Sequence, residues 1–189
     1  YGDMEVVLKT VAERLGLQPV PVFITKCIQL YETIVVRHGL MIVGPTGGGK
    51  SAILNTVQRT LGVLAAAGRS GPKIYNTAVQ TVNPKSITSG QLYGEFDKNT
   101  HEWQDGIVAD LIRQFAKTTT PDNKFIVFDG PVDTLWIENL NTVLDDNKKL
   151  CLTNGDVIRM TSLMSMVFVA PRSKMLPAKT PWSSVPSGQ

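Results

Sequence analysis

The chain is short of cysteine, of histidine and of surplus charge, and each shortage removes a class of explanation. Its two cysteines, Cys27 and Cys151, stand far apart beside apolar residues in 189 positions. They make no disulfide framework and read as reduced core thiols. The two histidines are His38 and His101, and neither has a second His, Cys or acid at ligand spacing, so no zinc-type centre is expected. No stretch approaches the ~18 apolar residues of a membrane span. Tyr1 to Arg14 lacks a basic region followed by an apolar run, so no secretory signal is expected. With no initiator Met, the chain reads as a piece of a longer, cytosolic protein.

Charge is scarce in a particular way. The net charge is +3, yet residues 1–170 hold 16 Lys and Arg against 16 Asp and Glu. Arg172, Lys174 and Lys179 supply the whole surplus, in a final stretch of 19 residues without an acid. A neutral body argues against a nucleic-acid surface. What is plentiful is apolar: 42% of residues are hydrophobic, enough for a substantial core and too many for general disorder.

Apolar periodicity predicts helices at Met4–Leu15, with Asp3 as cap and Gly16 as stop, and at Phe23–Ile34 after the connector Leu17-Gln18-Pro19-Val20-Pro21. Leu40-Met41-Ile42-Val43 predicts a strand, and about Lys50 to Ala66 a third helix. Ile74 to Val82 reads as a strand closed by Asn83-Pro84, and Thr88 with Gln91 fits a capping box. Residues 94–106 read as polar loop, after which Asp105 caps a helix bearing Val108, Leu111 and Phe115. Lys124 to Phe128 is a strongly buried strand, residues 134–147 favour helix, and Ser165 to Val169 is a last strand. Asn154-Gly155 suits a type I′ hairpin turn within Leu150–Arg159. Alternating strands and helices predict an α/β domain with a parallel sheet covered by helices on both faces. A core over 1–169 is expected, with N-terminal helices in 1–39 and the rest in 40–169. Residues 170–189, rich in Pro, Ser and Lys, should form a disordered tail.

The chemistry lies between the first strand and the third helix. Gly44-Pro45-Thr46-Gly47-Gly48-Gly49-Lys50-Ser51 matches the P-loop pattern with a strand before and a helix after. Glycines let successive N–H groups turn inward on a phosphate, backed by the positive end of the helix. Lys50 can reach β- and γ-phosphates, and the Ser51 hydroxyl can bind Mg²⁺. Asp129, ending the Phe125-Ile126-Val127-Phe128 strand, takes the Walker B position as second magnesium residue. A hydrolytic site of the AAA+ kind has glutamate next, whereas here it is Gly130. Asp133 and Glu138 are the nearest acids and read more simply as a helix cap and an exposed charge. The site therefore looks built to hold ATP or ADP with Mg²⁺ more than to turn it over, and no catalytic residue is assigned.

Three further segments resemble the dynein heavy chain: Gly39 to Pro45 entering the loop, Asn83-Pro84-Lys85-Ser86-Ile87-Thr88, and Gln91-Leu92-Tyr93-Gly94-Glu95-Phe96-Asp97. So does the long run from Asp129 through Asn139 to Leu150. The resemblance covers roughly residues 3–168 and is nearest to the second of six AAA+ modules in an axonemal motor ring. It implies an AAA+ large subdomain with strand order 5-1-4-3-2, and ATP bound without hydrolysis. It also implies that Leu17, Gln18 and Pro19 frame the adenine. Implied partners are neighbouring modules, with intermediate and light chains and, indirectly, microtubules reached through the parent motor; no nucleic acid or membrane is implied. The implied location is cytoplasmic, in the cytoskeleton of the ciliary axoneme. After Val169 the sequence departs from the family's pattern, so its arginine and helical lid are expected to be absent. A freestanding P-loop ATPase with a non-standard base is the alternative reading. A P-loop kinase is disfavoured because no arginine lies between Arg113 and Arg159, and a GTPase because Asn147-Lys148-Lys149-Leu150 breaks the guanine-reading pattern.

Overall fold

A computed structural model describes residues 2–131, 140, 143–144, 147–171 and 184–186. Its first helix, α1 (Gly2–Arg14), buries Met4, Leu8 and Val11 along one stripe. Gly16, at φ 72°, closes it. The Leu17 N–H bonds the Ala12 carbonyl and the Gly16 N–H bonds that of Glu13, the paired bonds of a Schellman end. Asp3 lies inside the first turn, where its carboxylate meets Arg69 at 2.9 Å instead of capping. Proline at the first position opens α2 (Pro21–Val36), whose buried face includes Ile24, Cys27, Leu30 and Ile34.

The central sheet is parallel throughout. Strands β1 (Gly39–Gly44), β2 (Thr77–Val82), β5 (Asn123–Asp129), β8 (Met164–Pro171) and β9 (Ser184–Pro186) lie in the order β2-β5-β8-β1-β9. Numbered by their succession in this sheet, the four strands within residues 39–171 follow the expected 1-4-3-2, and β9 adds an edge strand beside β1. Side chains alternate across the sheet. Phe125, Val127, Val167 and Val169 join Leu40 and Ile42 beneath α1, α2 and α3 (Lys50–Ala66). Ile126, Phe128, Met166 and Phe168 point the other way, toward Val108 and Ile112 of α5 (Ile107–Lys117). Phe128 and Phe168 stack there with centroids 4.9 Å apart. Burial on both faces is why these strands read as unbroken apolar runs.

Between β2 and α5 the chain makes a 3₁₀ turn at Pro84–Ser86, a short helix α4 (Ser89–Tyr93) and a hairpin of β3 (Gly94–Phe96) and β4 (Trp103–Asp105). The capping box at α4 is formed as predicted, with both the Gln91 N–H on Thr88 Oγ1 and the Thr88 N–H on Gln91 Oε1. Asp105, by contrast, is no helix cap: Gly106 occupies that position, and Asp105 ends β4. Residues 94–106 hold two paired strands where only polar loop was expected.

A second hairpin joins β6 (Lys149–Cys151) to β7 (Val157–Arg159). Its turn is not type I′, which needs positive φ at both central residues. Gly155 has φ 92°, but Asn154 does not adopt positive φ; its side-chain oxygen accepts the Asp156 N–H at 2.9 Å and fixes the turn locally. The strand expected from Ile74 starts at Thr77, because the Asn123 side-chain amide holds the Lys73 carbonyl at 2.9 Å and bends residues 71–75. Of the helix expected over 134–147, Asp133, Trp136 and Glu138 lie outside the described residues, while Leu140 and Val143 are buried in the second core. The tail contributes β9, a three-residue edge strand on Met41–Val43, where no regular structure was expected; residues 172–183 and 187–189 lie outside the description.

Two predictions follow from the packing. A Cβ on Gly106 would overlap the Leu92 carbonyl group and the Tyr93 nitrogen, all backbone that cannot step aside. Gly106→Ala should therefore cost about 2 kcal/mol in urea unfolding, whereas Gly2→Ala, with nothing near its Cβ, should be neutral. Burial pushes the Cys27 thiol from 9.0 up to about 12. Above pH 9 the unfolded chain loses this proton first, so the stability it contributes is lost as pH rises. The stability difference between the natural chain and Cys27→Ala should shift by about 1 kcal/mol against the natural chain between pH 8 and 10; a pH-independent difference would refute this assignment.

Candidate nucleotide site

The loop after β1 is shaped by its glycines. Gly47 and Gly49 both take φ 77°, a left-handed conformation costly for any other residue. The Gly48 N–H turns back to the Pro45 carbonyl at 3.0 Å, and a Cβ on Gly48 would press that same oxygen. Gly49 is the N-cap of α3, and the first helical bond is Ile53 N–H to Gly49 O at 2.8 Å. The amides of Gly49, Lys50 and Ser51 therefore precede the helix ladder and make no backbone hydrogen bond among the described residues. Cβ positions at Gly47 and Gly49 meet nothing within 4 Å, so the approach to the loop is open. The Lys50 ammonium lies against it, donating to the carbonyls of Gly44 at 3.0 Å and Pro45 at 2.7 Å. Ser51 is exposed beside it, as are Pro45 and Thr46.

The sheet brings Asp129 to the same end. Asp129 stands opposite Val169 on β8, and Val169 stands opposite Ile42 on β1. It is thus level with Ile42, two strands away, or ~10 Å across the sheet. It is exposed, unlike the other six residues of β5. Gly130 follows at φ 150°, its N–H bonded to the Val169 carbonyl at 3.0 Å. A Cβ there would sit 3.3 Å from the buried Pro84 ring and 3.6 Å from Asn83 Oδ1. This contact was invisible in sequence, where Asn83-Pro84 signalled only the end of a strand.

The Leu17-Gln18-Pro19 connector belongs to neither strand nor loop. Asp3 and Tyr31 share a cavity with Leu64 and Arg69 at the far end of α3, and Arg14 and Leu15 line another with Gln58 and Arg59. Hence α1 runs antiparallel to α3, with its carboxyl end beside the middle of that helix. Gln18 is exposed; Leu17 and Pro19 are half-buried.

Loop, strand order and acid position are joined by sequence relatives. A family profile described as "AAA domain (dynein-related subfamily)" matches residues 39–174. The chain belongs to that family. A second profile, "Hydrolytic ATP binding site of dynein motor region", matches residues 1–51. Dynein axonemal heavy chain 1 of Homo sapiens is 51% identical over 173 residues, covering 89% of this chain and 4% of that protein. Dynein axonemal heavy chain 3 of Homo sapiens is 50% identical over 169 residues, again 4% of its length. Dynein axonemal heavy chain 12 of Homo sapiens is 53% identical over 153 residues, 81% of this chain and 5% of that protein. The chain thus spans about one twentieth of the relatives it matches. It is homologous to an AAA module of axonemal dynein heavy chains.

The profile that names a hydrolytic site ends at Ser51, so its match includes the phosphate loop and does not reach Asp129 or Gly130. Gly130 follows Asp129 at a φ that a residue with a side chain adopts only under strain. Gly130→Ala should destabilise the module by about 1–3 kcal/mol through the forced φ, measured by urea unfolding. Gly130→Glu should do the same without creating ATP turnover; a stable, hydrolytic Gly130→Glu would contradict the strain assigned to this position.

Proposed function

We propose that this AAA module binds Mg-ATP and retains it, acting as a structural and regulatory site within an axonemal dynein motor ring, at the second module position. The observation that carries the proposal is the P-loop backbone placed at the carboxyl end of the sheet with Gly130 where a base would stand. The residues present fit a nucleotide phosphate: ladder-free amides at a helix start, an open glycine loop and a lysine already at its mouth. Lys50 would exchange its two carbonyl partners for β- and γ-phosphate oxygens, gaining a charge-assisted bond in place of neutral ones. Ser51 and Asp129 would hold the magnesium ion, which when bound neutralises phosphate charge. Leu17, Gln18 and Pro19 are proposed to frame the adenine, on the strength of the family resemblance alone.

General-base catalysis contributes ~10²–10⁴-fold, or roughly 3–5 kcal/mol of barrier. Without that group the site keeps its binding energy and loses turnover. Bound nucleotide would then stiffen the module and pass changes between its neighbours. Intermediate and light chains and the microtubule enter this reading only through a parent motor, as does a cytoskeletal place in the cilium. The test is a titration with fluorescent ATP and magnesium. Lys50→Ala should weaken binding at least tenfold, about 1.4 kcal/mol, with unchanged circular dichroism. Equal affinity in the two proteins would remove the phosphate site from the account.

A further inference from the structure

The two hairpins lie outside the nucleotide site, far apart in sequence, and one side chain ties them together. Arg113 projects from the middle of α5. Its Nε donates to Asp105 Oδ2 at 2.7 Å, at the end of β4, and its Nη2 donates to Asp156 Oδ2 at 2.8 Å, in the turn before β7. Each carboxylate is also held from its own hairpin. The Trp103 indole N–H donates to Asp105 Oδ1 at 2.7 Å, and the Asn154 amide donates to Asp156 Oδ2 at 3.2 Å.

Beneath the guanidinium the hairpins share one apolar floor, where Trp103 of the first and Leu150 and Ile158 of the second meet Val108 and Ile112 of α5. Arg113 is 34% exposed, so water screens its pairs only in part. An isolated surface ion pair is worth little, but a planar guanidinium shared by two oriented carboxylates resists independent movement of either. The tips, carrying Phe96 and Val157, remain exposed.

We propose that Arg113 is a positioning residue that locks the β3–β4 and β6–β7 hairpins into a single body on α5, so that displacement of one is felt by the other. The proposal is independent of nucleotide. Hydrogen exchange on the full chain tests it with Asp105→Asn and Asp156→Asn, which keep side-chain shape and weaken one arm each. Asp156→Asn should speed exchange of the Phe96 and Trp103 region at least threefold, although those residues belong to the other hairpin. Asp105→Asn should do likewise for the Leu150 and Ile158 region. The double variant should exceed either single variant by less than the product of their effects, and the Phe125–Val127 amides should be unchanged. Changes confined to the hairpin that carries the substitution would overturn the proposal. So would multiplicative effects in the double variant, or acceleration spread equally to the core strand.

Discussion

The architecture depends on β8 lying between β1 and β5 in unbroken parallel register. Six residues of β8, Met166–Pro171, pair with Gly39–Gly44, and six, Met164–Val169, pair with Lys124–Asp129. Because all three strands run the same way, their carboxyl ends open at one edge. What the chain does after each strand therefore happens in one place. The phosphate loop follows β1, the acid closes β5, and neither would face the other if β8 slipped by a residue. A one-residue slip would also turn Val167 and Val169 to the wrong face and Met166 and Phe168 to the other. The two cores make the register costly to leave, since burying a Val, Leu or Phe side chain is worth roughly 1.5–3 kcal/mol.

In the function proposed above, binding and turnover rest on different groups. Phosphate recognition uses mostly backbone: left-handed glycines, early helix amides and one lysine whose resting partners are carbonyls of the same loop. Turnover needs a side chain at a single position, and that position is glycine with φ 150° packed near Pro84. A side chain at position 130 would have to take a strained φ and crowd the Pro84 ring.

Much of this was legible in the sequence because the signals were local. The P-loop spacing, the buried Phe125–Phe128 run and the Thr88/Gln91 box each depend on residues a few positions apart, and each took the form expected. The errors came where a side-chain hydrogen bond, near or distant, overrides the local pattern. Asp105 reads as a helix cap until Arg113 and Trp103 claim its oxygens. Ile74 reads as strand until Asn123 bends the chain at Lys73. Asn154-Gly155 has the composition of one hairpin turn and adopts another, since the Asn side chain satisfies the backbone first. The edge strand at Ser184–Pro186 carries no periodicity to announce it; only the open side of β1 gives it a partner. For the candidate site, the glycine loop lies between strand and helix and Asp129 ends its strand as expected, but the closeness of Gly130 to Asn83 and Pro84, 47 and 46 positions away, had no sequence signature.

The central claim is that the module keeps ATP intact. The most direct measurement is to bind radiolabelled ATP with magnesium, remove the free nucleotide, and identify what remains bound over several hours. The account predicts ATP as the retained species, released unchanged. Progressive conversion of the bound nucleotide to ADP, abolished by Lys50→Ala, would contradict it.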